Sequence, residues 1–255
     1  MSIFESQGAL VRKLISPLAI VLIWEATARL GWINVLITPP PTHVLQHFAE
    51  MVVSLEIVKH TASSLGRFLV GYVLAIATAV PVGVLMAWFR PVDMIVDPLV
   101  ELIRPVSPIA ILPLAILWFG IGDASKIFII WLSCTFPILL STYAGMKGLD
   151  RAFVYAATSL GANNWEVLRT VAVPSALPQI YAGMRISLGI GLIVIISSEM
   201  VAARHGLGYM ILTAQQTFNV EEIFVGIIVI GLLGFSADLA LRRLKSRFMP
   251  WHREI

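Results

Sequence analysis

Long stretches without a charged side chain alternate with short polar segments along this chain, and that rhythm predicts its elements. The hydrocarbon core of a bilayer is about 30 Å thick and needs roughly 20 helical residues to cross it. Lipid offers no partner to an unpaired backbone group, so such stretches predict spanning helices. Six are expected: Leu14 to Ala28, Phe68 to Phe89, Leu99 to Phe119, Ile127 to Met146, Gln179 to Val201 and Ile223 to Leu239. The second and fourth contain no charged residue at all. In the second, Gly71, Ala75, Ala79, Gly83 and Ala87 recur every four residues, and Gly183, Ser187 and Gly191 repeat the pattern in the fifth. Such stripes put small side chains on one helical face and let a neighbouring backbone approach, either within one subunit or between two.

Composition agrees. Of 255 residues, 58% are hydrophobic and 13% charged, where soluble domains carry about 25% charged residues; the mean hydropathy is +0.88. The lone cysteine, Cys134, lies in an apolar run, reads as a small buried hydrophobe and offers no intrachain disulfide. A net charge of +3 and a pI near 9.2 raise the question of nucleic acid. The cations gather at the ends of apolar runs, however, where they set topology, so the expected partner is the lipid bilayer and no nucleic acid. Arg12 and Lys13 before an apolar stretch resemble the start of a signal peptide, but no small-residue cleavage site follows, and Glu25, Arg29 and Pro39 to Pro41 close the segment. The segment reads as a retained first span.

Six spans put both termini on one side. Alternating the loops places thirteen of the eighteen Lys and Arg on the terminal side, the five tail cations Arg242, Arg243, Lys245, Arg247 and Arg253 among them. Arg29, Lys59, Arg67, Lys126 and Arg204 fall on the other side. Positive charge marks the cytoplasmic face, so both termini are expected in the cytoplasm. The organisation is then an N-terminal span with an external amphipathic segment (residues 1–60) and a core (residues 61–255) that contains a cytoplasmic loop, residues 150–178.

That loop reads DRAFVYAATSLGANNWEVLRTVAVPSALP. Ala152 to Leu160 suits a short helix, Gly161 a left-handed turn at its end, and Asn164 to Val171 a second helix that Pro174 and Pro178 are expected to interrupt. A helix–glycine–helix element of this kind is shaped to enter a groove on a soluble partner. The stretch from Tyr155 to Pro178 resembles the coupling loop of permease subunits of ATP-binding cassette (ABC) importers, with matches at Ala156, Ala157, Gly161, Val171 and Pro174. It departs at Tyr155, where the family usually has glutamate, and at Val173, where leucine is usual. The stretches Glu101 to Phe128 and Ser197 to Ile211 resemble the nitrate, sulfonate, taurine and bicarbonate branch of that family. The run EIFVGIIVIGLLGF and the tail LRRLKSRFMPWHREI are most similar to taurine and alkanesulfonate permeases.

The resemblance implies an all-α polytopic protein with the type I ABC importer transmembrane-domain fold in a bacterial inner membrane. It implies a homodimer of this chain, two cytoplasmic ATP-binding cassette subunits and an external solute-binding protein. Tyr155, Ala156, Ala157, Ser159, Leu160, Gly161, Ala162 and Pro174 would couple the chain to the ATPases. The chain has no G-x-x-x-x-G-K-[ST] phosphate loop, so it is expected to hold no cofactor, with ATP and Mg on the partner subunits, and to be no enzyme.

For the solute path the third span offers Ser107 and Pro108, beside Pro105 and Pro113, since proline frees carbonyls that only protein or water can satisfy. A kink set by packing alone is the competing reading. Ser197, Ser198 and Glu199 form a polar cluster near the end of the fifth span, and an intramembrane carboxylate faces either the path or an ion-pair partner. Ser133 and Thr135 in the fourth span are further candidates. His43 and His47, four apart, share a helical face, but no third ligand completes a metal site. They are read as part of an external helix that touches the binding protein. Arg204 and His205 precede Gly206-Leu207-Gly208, either drawing an anion inward or acting as interfacial cations. An embedded enzyme lacks its nucleophile and base constellation, and an ion-coupled carrier lacks inverted repeats and several intramembrane acids. The expected solute is taurine or another small organosulfonate, with nitrate, bicarbonate and a vitamin precursor as alternatives.

Overall fold

Small side chains decide where the long helices meet. The computed structural model describes the backbone of residues 3–249 and the side chains of residues 15–249 other than Pro17 and Phe248. The elements are α1 (Ile3–Arg29), α2 (Pro41–Val53), α3 (Glu56–Trp88), α4 (Arg90–Ile103), α5 (Pro108–Phe119), α6 (Asp123–Lys147), α7 (Arg151–Ser159), α8 (Asn164–Val167), a π turn (Leu168–Ala172), α9 (Val173–Ala202), α10 (Leu207–Gln216) and α11 (Val220–Phe248). No strand occurs among the described residues.

The glycine stripe of α3 lies against α6. A Cβ on Gly71 would sit 2.9 Å from the Ile127 carbonyl oxygen, and one on Gly83 2.9 Å from that of Leu139. Ala75 and Ala79 between them are fully buried. The stripe of α9 also meets α6: a Cβ on Gly183 would lie 2.9 Å from the Pro137 carbonyl oxygen, and one on Gly191 2.7 Å from the Cys134 sulfur. Both stripes therefore pack inside the subunit, with α6 against both α3 and α9 and these two also in direct contact. Cys134 is buried there, its thiol donating to the Ser187 carbonyl at 3.4 Å. Around it Phe68, Met86, Ile130, Ile138, Leu188 and Ile195 fill the core. We expect Gly83→Val, which forces a branched side chain onto the α6 backbone, to cost about 1–3 kcal/mol. Gly66→Val, with open space around its Cβ, is the control, and thermal unfolding in detergent is the measurement. Equal midpoints for the two variants would refute this packing.

Among the described residues, four helical segments are long and apolar enough to cross a membrane, Glu56–Trp88, Asp123–Lys147, Asn164–Ala202 and Val220–Arg247. The expected first span corresponds to α1, but it starts at Leu14, and this end of it lies outside the described side chains. The expected third span is corrected. It is not one rod: α4 and α5 together qualify as a crossing segment but are bent by 99°. Pro105 and Pro108 bracket the bend, and a residue before proline is driven out of the α region. Ser107 accordingly takes an extended conformation at φ −65° and ψ 123°. The 12 residues of α5 reach only about 18 Å at 1.5 Å per residue, short of the hydrocarbon thickness.

Candidate functional site

Two clusters at opposite ends of α6 hold the chemistry. At one end Lys147 pairs with Asp93 of α4 at 3.3 Å, and the Tyr143 hydroxyl donates to the same carboxylate at 3.1 Å. This ties the start of α4 to the end of α6. Two residues after Gly148, Asp150 caps α7 by accepting the Ala152 N–H at 2.9 Å.

α7 closes with a two-bond motif. Gly161 N–H donates to the Thr158 carbonyl at 3.0 Å and Ala162 N–H to the Ala157 carbonyl at 3.1 Å, the pairing that a left-handed residue after a helix permits. Gly161 holds that position at φ +89°. Asn163 then opens α8: its side chain accepts the Trp165 and Glu166 N–H groups at 3.0 Å, while the Glu166 carboxylate accepts the Asn163 N–H at 2.8 Å. No side chain of α7 is buried, and Phe153, Tyr155, Leu160 and Trp165 all stand exposed. The returning limb is the reverse. Val167, Leu168 and Ala172 are buried, and Leu168 and Ala172 pack with Met146 of α6, Ala176 and Ile180 of α9, and Val80 and Val84 of α3. The loop is thus an exposed lever on a buried root.

Pro174 and Pro178 do not interrupt this limb, contrary to expectation. α8, the π turn and α9 run on as one helical segment. Pro174 follows directly on the π turn, in which the Val173 N–H reaches back five residues to the Leu168 carbonyl, and Pro178 is carried inside α9. Pro174 also lines, with Phe153, Thr170 and Ser175, a groove of about 200 Å³ between α7 and its root.

At the other end of α6 the Glu199 carboxylate is completely buried. It accepts from Arg67 Nη1 at 2.6 Å, from the Ser64 hydroxyl at 2.8 Å and from the Gly208 N–H at 3.0 Å. Arg67 also bonds Asp123 at 2.6 Å through Nε and the His205 carbonyl at 2.7 Å through Nη1. The Ser64 hydroxyl accepts the Leu207 N–H at 2.8 Å, and the Gly206 N–H meets His60 Nδ1 at 3.0 Å. Gly206, at φ +134°, leaves no room for a Cβ, which would strike the Glu199 carboxylate, and a Cβ on Gly208 would strike the Ile196 carbonyl. The Gly-Leu-Gly turn is therefore shaped around one carboxylate, and α3, α6, α9 and α10 are bound together there.

The profile of the family described as binding-protein-dependent transport system inner membrane component matches residues 79–250. The chain is 38% identical to the taurine transport system permease protein TauC of Escherichia coli (strain K12) over 94% of this chain and 90% of that one. The chain belongs to this permease family. It is 31% identical to the putative aliphatic sulfonates transport permease protein SsuC of Bacillus subtilis (strain 168), over 94% of this chain and 87% of the relative. Its fold matches a chain of the MetNI methionine ABC transporter in inward-facing conformations, with a TM-score of 0.59 at 19% identity over 73% of this chain and 93% of that one. The protein is accordingly a multi-pass permease subunit of an ABC importer, a family that works with ATP-binding subunits and a solute-binding protein.

In this permease the residues singled out for the path are not gathered in one place. Ser107 is exposed at the α4–α5 bend, with Pro108 half-buried beside it. Ser133 is buried and donates to the Ile129 carbonyl at 2.7 Å; Thr135 donates to Trp131 at 2.7 Å. Ser198 is buried on the Ile195 carbonyl at 2.8 Å, and Ser197, half-buried, donates to the Ile193 carbonyl at 3.0 Å. Glu199 has an ion-pair partner within the fold. Ser64, Arg67, His60 and Asp123 had not been singled out. The signal for Arg67 was its place: a cation directly before the charge-free run Phe68 to Phe89, on the side expected for Glu199. His43 and His47 do lie on α2, with His47 3.7 Å from Glu50. No group of three or more metal-ligating side chains occurs among the described residues.

Proposed function

We propose that this permease forms the translocation path for taurine or another small organosulfonate, as a homodimer served by two cytoplasmic ATPase subunits and an external binding protein. The solute assignment rests on the 38% identity to a taurine permease and the 31% identity to an aliphatic sulfonate permease. Nitrate, bicarbonate and a vitamin precursor are the alternatives. A formylaminopyrimidine permease, ThiX of Halalkalibacterium halodurans, is 29% identical over 93% of the chain, which keeps the vitamin precursor in the comparison.

The observation that carries the mechanism is the exposed α7 on its buried root. Closure of the ATPases would push on Tyr155, Ala156, Ser159 and Leu160. The turn at Gly161 and Ala162 and the π turn before Pro174 would pass that motion to α9, which packs along α6. Ser107, Pro108, Ser133, Ser197, Ser198 and Glu199 remain candidates to border the path. For Glu199, already held by Arg67, this means shaping it without touching the anion. On this reading both termini lie in the cytoplasm, and ATP and Mg bind on the ATPases.

Two measurements test the proposal. The partner binding protein, titrated with taurine, alkanesulfonates, nitrate and bicarbonate, is expected to take the sulfonates with the highest affinity, and preference for nitrate or bicarbonate would reassign the solute. Uptake is expected to stop when the phosphate-loop lysine of the co-purifying ATPase is replaced. Continued uptake would instead support an ion-coupled carrier.

A further inference from the structure

α4 is held by one apolar seam and one polar knot. The seam is Val92, Val96 and Val100, four apart on one face of the helix, packed into the core cluster that also holds Met86 and Ile138. Only Val100 is fully buried, and Met94, Ile95, Leu99 and Leu102 on the remaining surface are exposed. The knot is Asp93. Its Oδ2 takes both donors, Lys147 Nζ and the Tyr143 hydroxyl, while its buried Oδ1 accepts no hydrogen bond from the described residues. The Lys147 ammonium closes the triangle, 5.2 Å from the centre of the Tyr143 ring. A carboxylate offers about four acceptor sites, so this one is only half used. Glu199 makes the contrast, since both of its oxygens are engaged and it is completely buried. The side chains of Asp93 and Lys147 keep 20% and 48% of their exposure, so this pair can exchange its partners for water at little cost.

The knot also stands at a junction. Lys147 ends α6, and Asp150, the cap of α7, follows after Gly148 and Leu149. The Gly148 N–H donates to the Ala144 carbonyl at 2.9 Å and the Leu149 N–H to the Met146 carbonyl at 3.4 Å, so this connection is a tight turn with little slack. Asp93 lies in the first turn of α4, just past Phe89, whose extended backbone (φ −109°, ψ 107°) breaks α3 from α4. The far end of α4 runs through the 99° bend into α5, which rests through Leu112 and Ala115 on Ile129 of α6 and Val194 of α9. One half-exposed ion pair thus joins the base of α7 to a bent arm.

We propose that the Asp93–Tyr143–Lys147 knot is a release catch between α7 and the α4–α5 arm, shut in the resting state and opened when α7 is pushed. This rests on the reading of α7 as the segment that the ATPases push. Opening frees α4 to turn at Phe89 and tilt α5 against α6 and α9. The catch gives the motion a second route beside the buried root of α8 and α9. Asp93 and Lys147 are then positioning residues: they set which state is populated and need touch neither solute nor nucleotide.

The test uses the full transporter assembly, with its ATPases and binding protein, in liposomes. Asp93→Asn and Lys147→Met are each expected to raise ATP hydrolysis in the absence of solute by up to about five-fold, the population shift that loss of a half-exposed pair allows. Exchanging the charges, Asp93→Lys with Lys147→Asp, is expected to bring that rate back down. A permanent staple would leave it at the wild-type level in all three variants, which overturns the proposal. Asp93→Cys with Lys147→Cys, bridged by a short bis-methanethiosulfonate reagent, is expected to lose solute uptake and to regain it on reduction; Cys134 is buried, away from the reagent. Uptake at the unbridged rate across the closed bridge overturns the proposal as well, and should the bridge not form, the charge variants decide. Gly161→Pro reads the coupling role of α7 separately. Loss of stimulation there, with no response at Asp93 and Lys147, removes the catch and leaves that role standing.

Discussion

Replacing Gly161 by proline is expected to bring ATPase stimulation by the solute-loaded binding protein down to the basal rate, while the chain still inserts and assembles. Gly161 sits at φ +89°, whereas proline is held near −65°. The substitution also deletes the N–H that donates to Thr158 at 3.0 Å. Both closing bonds of α7 depend on that backbone geometry, so α7 loses its fixed direction relative to α8 at a local cost of about 3 kcal/mol or more. The root, buried against α3 and α6, keeps its contacts, so the loss falls on coupling and not on the fold. Gly161→Ala separates the two causes. A Cβ there meets open space and the N–H survives, so only the left-handed penalty of about 1–2 kcal/mol remains and partial stimulation is expected. A bulky side chain at Ala157, half-buried on α7, is expected to act like proline by blocking the partner's groove. Unchanged stimulation in the proline variant would remove the coupling role from this segment.

The loop from Asp150 to Pro178 was legible because its punctuation is local. Gly161 took its expected place between the two short helices, and the caps that the structure adds, Asp150 before α7 and the Asn163–Glu166 pair opening α8, also act within a few residues. Hydropathy also located the long rods and the faces on which α3 and α9 meet α6, since glycine every fourth residue marks a backbone approach whatever the partner. It did not reveal the 99° turn between α4 and α5, because mean hydropathy records apolar content and carries no direction. Nor did it show that the helix would run on through Pro174 and Pro178. Proline is costly inside a helix, and the continuous register that carries both depends on the π turn and on how Leu168 and Ala172 root against α3 and α6. Glu199 stood out as an expensive residue, but its partner lies 132 positions away, and only the fold brings α3 and α9 together.

That partnership sets the largest expected effect on stability. Arg67→Met leaves the Glu199 carboxylate buried without its cation, and breaking a buried pair from one side costs about 3–5 kcal/mol. Thermal unfolding in detergent is expected to show a correspondingly lower midpoint and a smaller folded yield. Asp123 shares the same guanidinium, but its side chain is 65% exposed, so Asp123→Asn is expected to cost about 0–1 kcal/mol, as exposed pairs do. Combining Arg67→Met with Glu199→Gln removes both charges and is expected to recover most of the loss, since the Ser64 hydroxyl and the Gly208 N–H still have an amide oxygen to bond. A double variant no more stable than Arg67→Met alone would mean that the guanidinium holds the four helices together chiefly through Asp123 and the His205 carbonyl. The Gly-Leu-Gly turn would then have been shaped for something other than the carboxylate it encloses.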